Sequence, residues 1–566
     1  MAQSTGEQHM TTKINRRQAL LAVSAAALLP VALGQGLTSK PEPISSTVFA
    51  HGVASGDPDA SSVVIWTRLS GLEGILNTTW RVATDETMFN IVATGSVQTQ
   101  QSRDYTVKEV VRGLDPGQQY FFDFQVSGES SPIGRTKTLP VGHVENLVFA
   151  VVTCSNYAFG YFNAYEAIAN DLSVDLVVHL GDYIYEHGAD GFGADVASRI
   201  DRAHVPSHET LTLDDYRKRH AQYKTDASSQ AMHAQQPLIV IWDDHETANN
   251  PWMNGAENHD LSEGDWSARR QASLQAYYEW LPIREPAVGA TKAEYWRHFK
   301  FGDLVSLITL ESRHTGRSQQ ISYGDYLPNL HSVEQAQKFK ESVLNDTNRN
   351  MLSEDMESFL AAELKESVTA NRRWRLIGNQ SVIAKSTSPK LNKPFFEELM
   401  KSLDEAGSDK LKSLTRFGDL ELPDDLDTWE GYPAARERFY NIAKSAGAND
   451  LLVLSGDSHS FWANQLFDEN NNAMGLELGA TGVTSPRSLL VLGDEGLKRF
   501  DESNAADNEE IVWSDGRHRG FIRLSISHQK VHADFIAVSN VETREYVIQP
   551  IRAFDIEKEG ETLRYS

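Results

Sequence analysis

The feature that most constrains this chain is a series of short, wholly apolar runs, each of which stops on residues able to bind a metal. Residues 147–153, 175–180, 238–242 and 451–454 read as buried strands. The first runs into Cys154, Ser155 and Asn156. The second runs into Gly181, Asp182, Tyr183, Ile184, Tyr185 and Glu186. The third runs into Asp243, Asp244, His245 and Glu246, and the last into Gly456, Asp457, Ser458 and His459. A helix over 161–170 between the first two makes a strand–helix–strand unit, which signals an α/β domain. Strands at 304–310 and 374–377 and helices at 268–280 and 434–446 continue the pattern. In open α/β folds ligands collect at the carboxyl ends of strands. One strand ending in Gly, Asp, Asn or Ser is ordinary turn chemistry. Four core strands ending this way predict a polynuclear metal site.

With 566 residues the chain is long enough for more than one domain. Residues 46–140 read as β. The run Val63, Val64, Ile65, Trp66, Thr67 is β-branched and aromatic, and Tyr120, Phe122, Phe124 and Val126 alternate, which sets them on one face of a strand. Turn signals at Gly56, Asp57, Pro58 and at Asp115, Pro116, Gly117 separate such runs. Short strands at this spacing predict a β-sandwich, and the stretch from Gly113 to Tyr120 resembles the turn into a late strand of fibronectin type III domains. Residues 316–350 are polar and irregular, and read as a long loop that could cover the site or as partly disordered chain. The acid-rich stretch at Asp424, Asp425 and Asp427 reads as a solvated loop.

The N-terminus is an address. Asn15, Arg16, Arg17 and Gln18 precede an apolar run of about 15 residues, the length of a signal core and too short for a membrane span. The paired arginines resemble a twin-arginine export signal, although Ala19 stands where that motif prefers Phe, which leaves the general secretory route open. Residues 1–40 are therefore expected to direct export to the periplasm or the medium, with no permanent membrane anchor. The formal net charge of -25 argues against a charge-driven grip on nucleic acid. It does not exclude a small anionic substrate, because bound cations invert the local field. The single cysteine, Cys154, rules out an internal disulfide, and its place on a strand tip favours a ligand over a buried filler. Thiolate, phenolate and imidazole suit ferric iron or zinc, whereas carboxylate and amide oxygens suit Ca²⁺, Mg²⁺ or Mn²⁺.

In order and in detail these motifs resemble the PhoD-like alkaline phosphatase and phosphodiesterase family of the metallophosphoesterases. The stretches 177–186, 241–246 with Asn249 and Asn250, and 454–459 carry the likeness. The stretch from Phe49 to Pro58, that from Thr428 to Pro433, and Thr484, Ser485 and Pro486 extend it over roughly residues 46–540. The resemblance implies a fibronectin-III/Ig-like β-sandwich over 41–142 and a metallophosphoesterase αββα sandwich over 143–566. It implies a mixed Fe³⁺ and Ca²⁺ centre in which Cys154, Asp182, Tyr185 and His459 hold iron and Asp182 bridges to calcium. Asp244, Asp457 and Asn156 fall on the calcium side.

His245 is then a catalytic candidate facing the phosphate, or a partner that orients Asp244. Arg313 and Arg202 are candidates for the phosphate-binding arginine, since a guanidinium fork matches phosphate oxygens. Arg313 follows Glu311, where the family pattern leads one to expect Asp. The implied activity is release of phosphate from mono- or diesters by metal-activated hydroxide, by a monomer. Two alternatives stay open: a Zn²⁺ or Mn²⁺ phosphodiesterase or nucleotidase on the same scaffold, and a non-catalytic surface-binding protein with a structural metal.

Overall fold

The computed structural model describes residues 46–566 apart from Ser488. The predicted export segment, 1–40, lies outside the described residues. Two large sheets face each other. The first carries, side by side, strands Arg519–Ser527, Asn146–Val152, Leu176–His179 and Leu238–Val240. The second carries Val305–Thr309, Trp374–Gly378, Leu451–Ser455 and Ala473–Gly479. Within each sheet the strands that lead to the motifs are mutually parallel. Phe149, Val151, Leu176 and Val178 from the first sheet and Leu307, Leu376 and Leu452 from the second fill the layer between them. Helices close the outer faces. Asn163–Asn170 and Trp266–Trp280 pack on the first sheet, and Glu354–Thr369 and Pro433–Ala446 on the second. Burial on both faces explains why the strands read as continuous apolar runs.

The N-terminal segment forms a sandwich with one unusual wall. Its outer sheet comprises Ile91–Thr99, Leu76–Ala83 and Gln119–Val126, with two short strands beside the last. Its inner sheet comprises Val53–Gly56, Ser62–Arg68 and Thr106–Arg112, and this sheet is continuous with the first large sheet through a parallel pairing of Gly56 with Leu238. Val63, Ile65, Val82, Phe122 and Phe124 pack between the two walls. The alternating residues Tyr120, Phe122, Phe124 and Val126 all point inward, as the sequence predicts. The Tyr120 hydroxyl accepts the Asp115 N–H at 2.8 Å, a tyrosine corner of the kind found in fibronectin-like sandwiches.

Residues 316–350 differ from the irregular chain expected of them. They hold the short helices Tyr323–Tyr326 and Val333–Phe339, and Leu330, Ala336, Phe339 and Leu344 build a satellite core with Leu420, Leu422 and Leu426. The apolar residues are too sparse for a periodic signal, and their partners lie about 80 residues downstream, where local patterning does not reach.

Candidate metal centre

Both large sheets deliver their strand ends to one pole. Ligand atoms of Cys154, Asp182 and His459 lie within 4.8 Å of one another, and so do those of Asp182, Asp244 and His245. Asp182 belongs to both groups. The Tyr185 hydroxyl donates to Asp182 Oδ2 at 2.8 Å and lies 3.2 Å from His459 Nε2. Cys154, Asp182, Asp457 and His459 all have positive φ, between 53° and 63°. Left-handed backbone at non-glycine residues is costly and gathers where a site over-determines it. Gly181 lets two tips approach: a Cβ there would sit 2.4 Å from the Asp243 Cβ.

The polar surroundings set the state of each group. His459 Nδ1 donates to the Pro486 carbonyl at 2.8 Å, which leaves Nε2 as a lone-pair donor toward the cluster. Burial, helped by Arg519, pushes its pKa down to about 3, so the ring is neutral. Burial, followed by the charge of Asp182, pushes the Cys154 thiol well up. Burial and then Asp244 push Asp182 up, and burial and then Asp243 push Asp457 up. Burial also works to lower the pKa of His245, but Asp244, Glu186 and Asp182 outweigh it and carry it well above the ordinary histidine range. Among the described residues, buried Asp244 Oδ1 and Asp243 Oδ2 have no hydrogen-bond partner. Buried carboxylates that repel one another beside unpartnered oxygens are what bound cations would relieve, so the donor set fits a metal centre.

The remaining candidates sort clearly. Asn156 is buried beside the cluster, and its Oδ1 accepts the Ala158 N–H at 2.9 Å at the start of the short helix Tyr157–Phe159. Arg313 reaches the centre: Nε donates to Asp243 at 2.6 Å and Nη1 to Asp427 at 2.5 Å. Its Nη2 lies 3.7 Å from Asp457 and 3.9 Å from Asp244, without a hydrogen-bond partner among the described residues. Arg202 does not reach it. Its guanidinium bonds the Tyr157 carbonyl and Asp226 and stacks on the Tyr157 ring. Asp427 corrects the reading of its stretch as solvated: it is buried and takes both Arg313 and Arg317, a pairing over more than a hundred residues that no local pattern shows.

Three carboxylates had no role assigned from sequence. Glu246 accepts the backbone N–H groups of Asp182, Tyr183 and Asp243, pinning two strand tips at once. Glu186 holds His245 Nδ1 at 2.7 Å and also accepts the Asn249 N–H. Glu311 accepts Trp242 Nε1 and the N–H groups of Arg313, His314 and Thr315, which shapes the turn that presents Arg313. Each lies inside or beside a motif, so position marked it, but only the fold shows what it grips.

Two facing sheets with such a cluster at their strand ends fit a metal-dependent hydrolase, and comparison with known proteins gives the class. A family model described as PhoD-like phosphatase matches residues 149–535, and one described as its N-terminal domain matches 36–140. The chain belongs to the PhoD-like phosphatase family. It is 32% identical over 535 residues to alkaline phosphatase D of Bacillus subtilis (strain 168), covering 92% of this chain and 82% of the relative. It also matches a solved structure of PhoD with TM-score 0.73 at 30% identity, covering 93% of each chain. The chain is therefore a phosphoester hydrolase, a PhoD-like alkaline phosphatase, and its substrate is a phosphate ester.

Proposed function

We propose that this phosphatase is exported, acts on phosphate mono- and diesters, and uses a mixed iron and calcium centre. The observation that carries the reading is the meeting of Cys154, Asp182 and His459 beneath the Tyr185 hydroxyl. A thiolate, a phenolate and an imidazole with one carboxylate suit ferric iron, so these four residues would hold it. Asp182 would bridge to calcium, with Asp244, Asp457 and the second lone pair of Asn156 Oδ1 as hard oxygen donors. When bound, the ions supply an attacking hydroxide near neutral pH and neutralise charge on the phosphoryl oxygens.

The chain's own residues do the rest. Arg313, held by Asp243 and Asp427, offers its unpartnered Nη2 to a phosphoryl oxygen. His245 is oriented by Glu186 through Nδ1 and by stacking on Tyr185 at 4.2 Å. Glu186, which is no metal ligand, faces Nδ1 and favours the protonated ring, which would leave a proton on Nε2 to give to the leaving oxygen. Residues 143–566 would carry this chemistry, and the N-terminal sandwich, described from residue 46 onward, would buttress it. Residues 1–40 would direct the chain to the periplasm or the medium. Among the described residues no helix is long and apolar enough to cross a membrane.

Elemental analysis of the mature protein, with hydrolysis of a chromogenic mono- and diester on the same sample, tests this. Iron with calcium, and activity abolished in Cys154→Ala, is the expected result. Zinc or manganese with full activity in Cys154→Ala would replace the iron assignment. His245→Asn should lower kcat by about 10²–10⁴-fold with the metal content retained.

A further inference from the structure

A second group of metal-ligating side chains lies at the opposite pole of the sandwich. His143 sits in the connection before strand Asn146–Val152. Asp303 sits in the hairpin turn between Arg297–Phe301 and Val305–Thr309. His528 sits in the turn between Arg519–Ser527 and Lys530–Val538. One ligand atom from each lies within 4.8 Å of the others. The metal cluster described above stands beyond the carboxyl ends of these strands, and this trio before their amino ends. A seven-residue strand at roughly 3.3 Å per residue puts about 20 Å or more between the two.

The geometry is built rather than incidental. Asp303 Oδ2 lies 2.9 Å from His143 Nδ1, and Oδ1 lies 3.3 Å from His528 Nε2. The carboxylate therefore spans both imidazoles, and its orientation is fixed by the Val144 N–H, which donates to Oδ1 at 3.0 Å. Backbone bonds clamp the two loops together: Gly302 N–H to the Pro140 carbonyl and Asp303 N–H to the Gly142 carbonyl. The approach needs glycine at 302, where φ is 53° and a Cβ would fall 2.3 Å from the Gly142 oxygen. The third loop is tied to the second sheet by Trp374 Nε1, which donates to the Ser527 carbonyl at 2.7 Å. The two imidazole rings stack with centroids 5.0 Å apart. His528 Nε2 is shielded from solvent and makes no aligned hydrogen bond among the described residues, although a carboxylate oxygen faces it.

We propose that His143, Asp303 and His528 form a structural site for a divalent d-block cation of the zinc type. Two imidazole nitrogens and one carboxylate are donor types that zinc takes, and because the trio supplies only three ligands a water would complete the tetrahedral shell. Calcium and magnesium, which take oxygen ligands, are disfavoured. One ligand atom from each of the three lies within 4.8 Å of the others, a spread that ligands held at about 2.0–2.2 Å from one ion can close. Bound there, the ion would tie the turn of one sheet, the turn of the other and the connection that follows the N-terminal sandwich. It would act on stability and not on the reaction.

The test uses the mature protein with the metals it carries on purification. The protein is incubated with Zn²⁺, desalted, and assayed for zinc, melting temperature and ester hydrolysis, beside His143→Ala/His528→Ala. The wild type should gain about one equivalent of zinc and melt roughly 2–4 °C higher. The double variant should gain neither and hydrolyse the ester as the wild type does. Ca²⁺ should not reproduce the rise. Equal zinc uptake by both proteins, or no uptake by the wild type, overturns the proposal, and the trio is then only a hydrogen-bonded His143–Asp303 pair with His528 stacked beside it. His143 is exposed, so His143→Gln serves if the double variant does not fold; unchanged zinc uptake in it counts against the site.

Discussion

Glu246 ends the third motif, yet its carboxylate faces backbone and not substrate. It closes three N–H groups at two strand tips in a fully buried place. Removing an acceptor leaves each buried donor at a cost of about 1–3 kcal/mol. Glu246→Ala should therefore lower unfolding free energy by about 3 kcal/mol or more and also lower metal content, because Asp182 loses its anchor. Denaturant titration with elemental analysis checks this, and a wild-type midpoint would refute it. Arg313 makes the complementary case. Lysine in its place keeps the charge but cannot bond Asp243, Asp427 and a phosphoryl oxygen together. Arg313→Lys should cost about 10²-fold or more in kcat/KM, in the range of losing one preorganised donor, with the metal content retained.

Strand pairing carries its own prediction. His532, on strand Lys530–Val538, stands directly opposite Asp555 on strand Ile548–Glu559. Its Nδ1 lies 2.6 Å from Asp555 and its Nε2 3.1 Å from Asp534, while Lys530 shares Asp555. The Asp534 hydrogen bond, against partial burial and with help from Asp555, raises the His532 pKa to about 8. A folded pKa above the unfolded 6.5 means stability that is fully present below pH 6.5 and is lost as pH rises through about 8. The melting temperature of the wild type should exceed that of His532→Gln at pH 6, and the gap should shrink by pH 9. Calorimetry of both proteins across that range decides it; a gap independent of pH would show that the imidazolium contributes nothing. The pair is partly exposed, so the effect is small and sensitive to salt.

At the scale of the molecule, the N-terminal sandwich is joined to the catalytic layers by more than a linker. Trp66 is fully buried, and its Nε1 donates to the Glu279 carbonyl at 2.8 Å. Arg135 reaches the Gln235 and Val174 carbonyls, and Arg284 the Asp57 carbonyl. Trp66→Ala should destabilise by about 3–5 kcal/mol, as large-to-small changes at buried tryptophan do. A chain beginning at residue 143 would expose Trp280 and leave the edge of strand Leu238–Val240 unpaired, and it should aggregate. Solubility and gel filtration of that fragment test the seam; a soluble, active fragment would show that the shared sheet is dispensable.

Much of this was written in local pattern. Apolar runs gave the core strands to within a residue or two at 146–152, 176–179 and 451–455, because burial on both faces leaves no room for polar residues. The strand-tip position of Cys154, Asp182, Asp244, Asp457 and His459 followed from the same runs, as did the alternation that faces Phe122 and Phe124 inward. What only the tertiary structure decided was convergence. Arg313 rather than Arg202 reaches the centre because Asp243 and Asp427, 70 and 114 residues away, hold it there. His143, Asp303 and His528 meet only because two sheets and a connection close on one another. The physical reason is one of range. Hydrophobic periodicity acts over a few residues and is written in the chain, whereas buried charges take whatever partner the packed sheets bring to them.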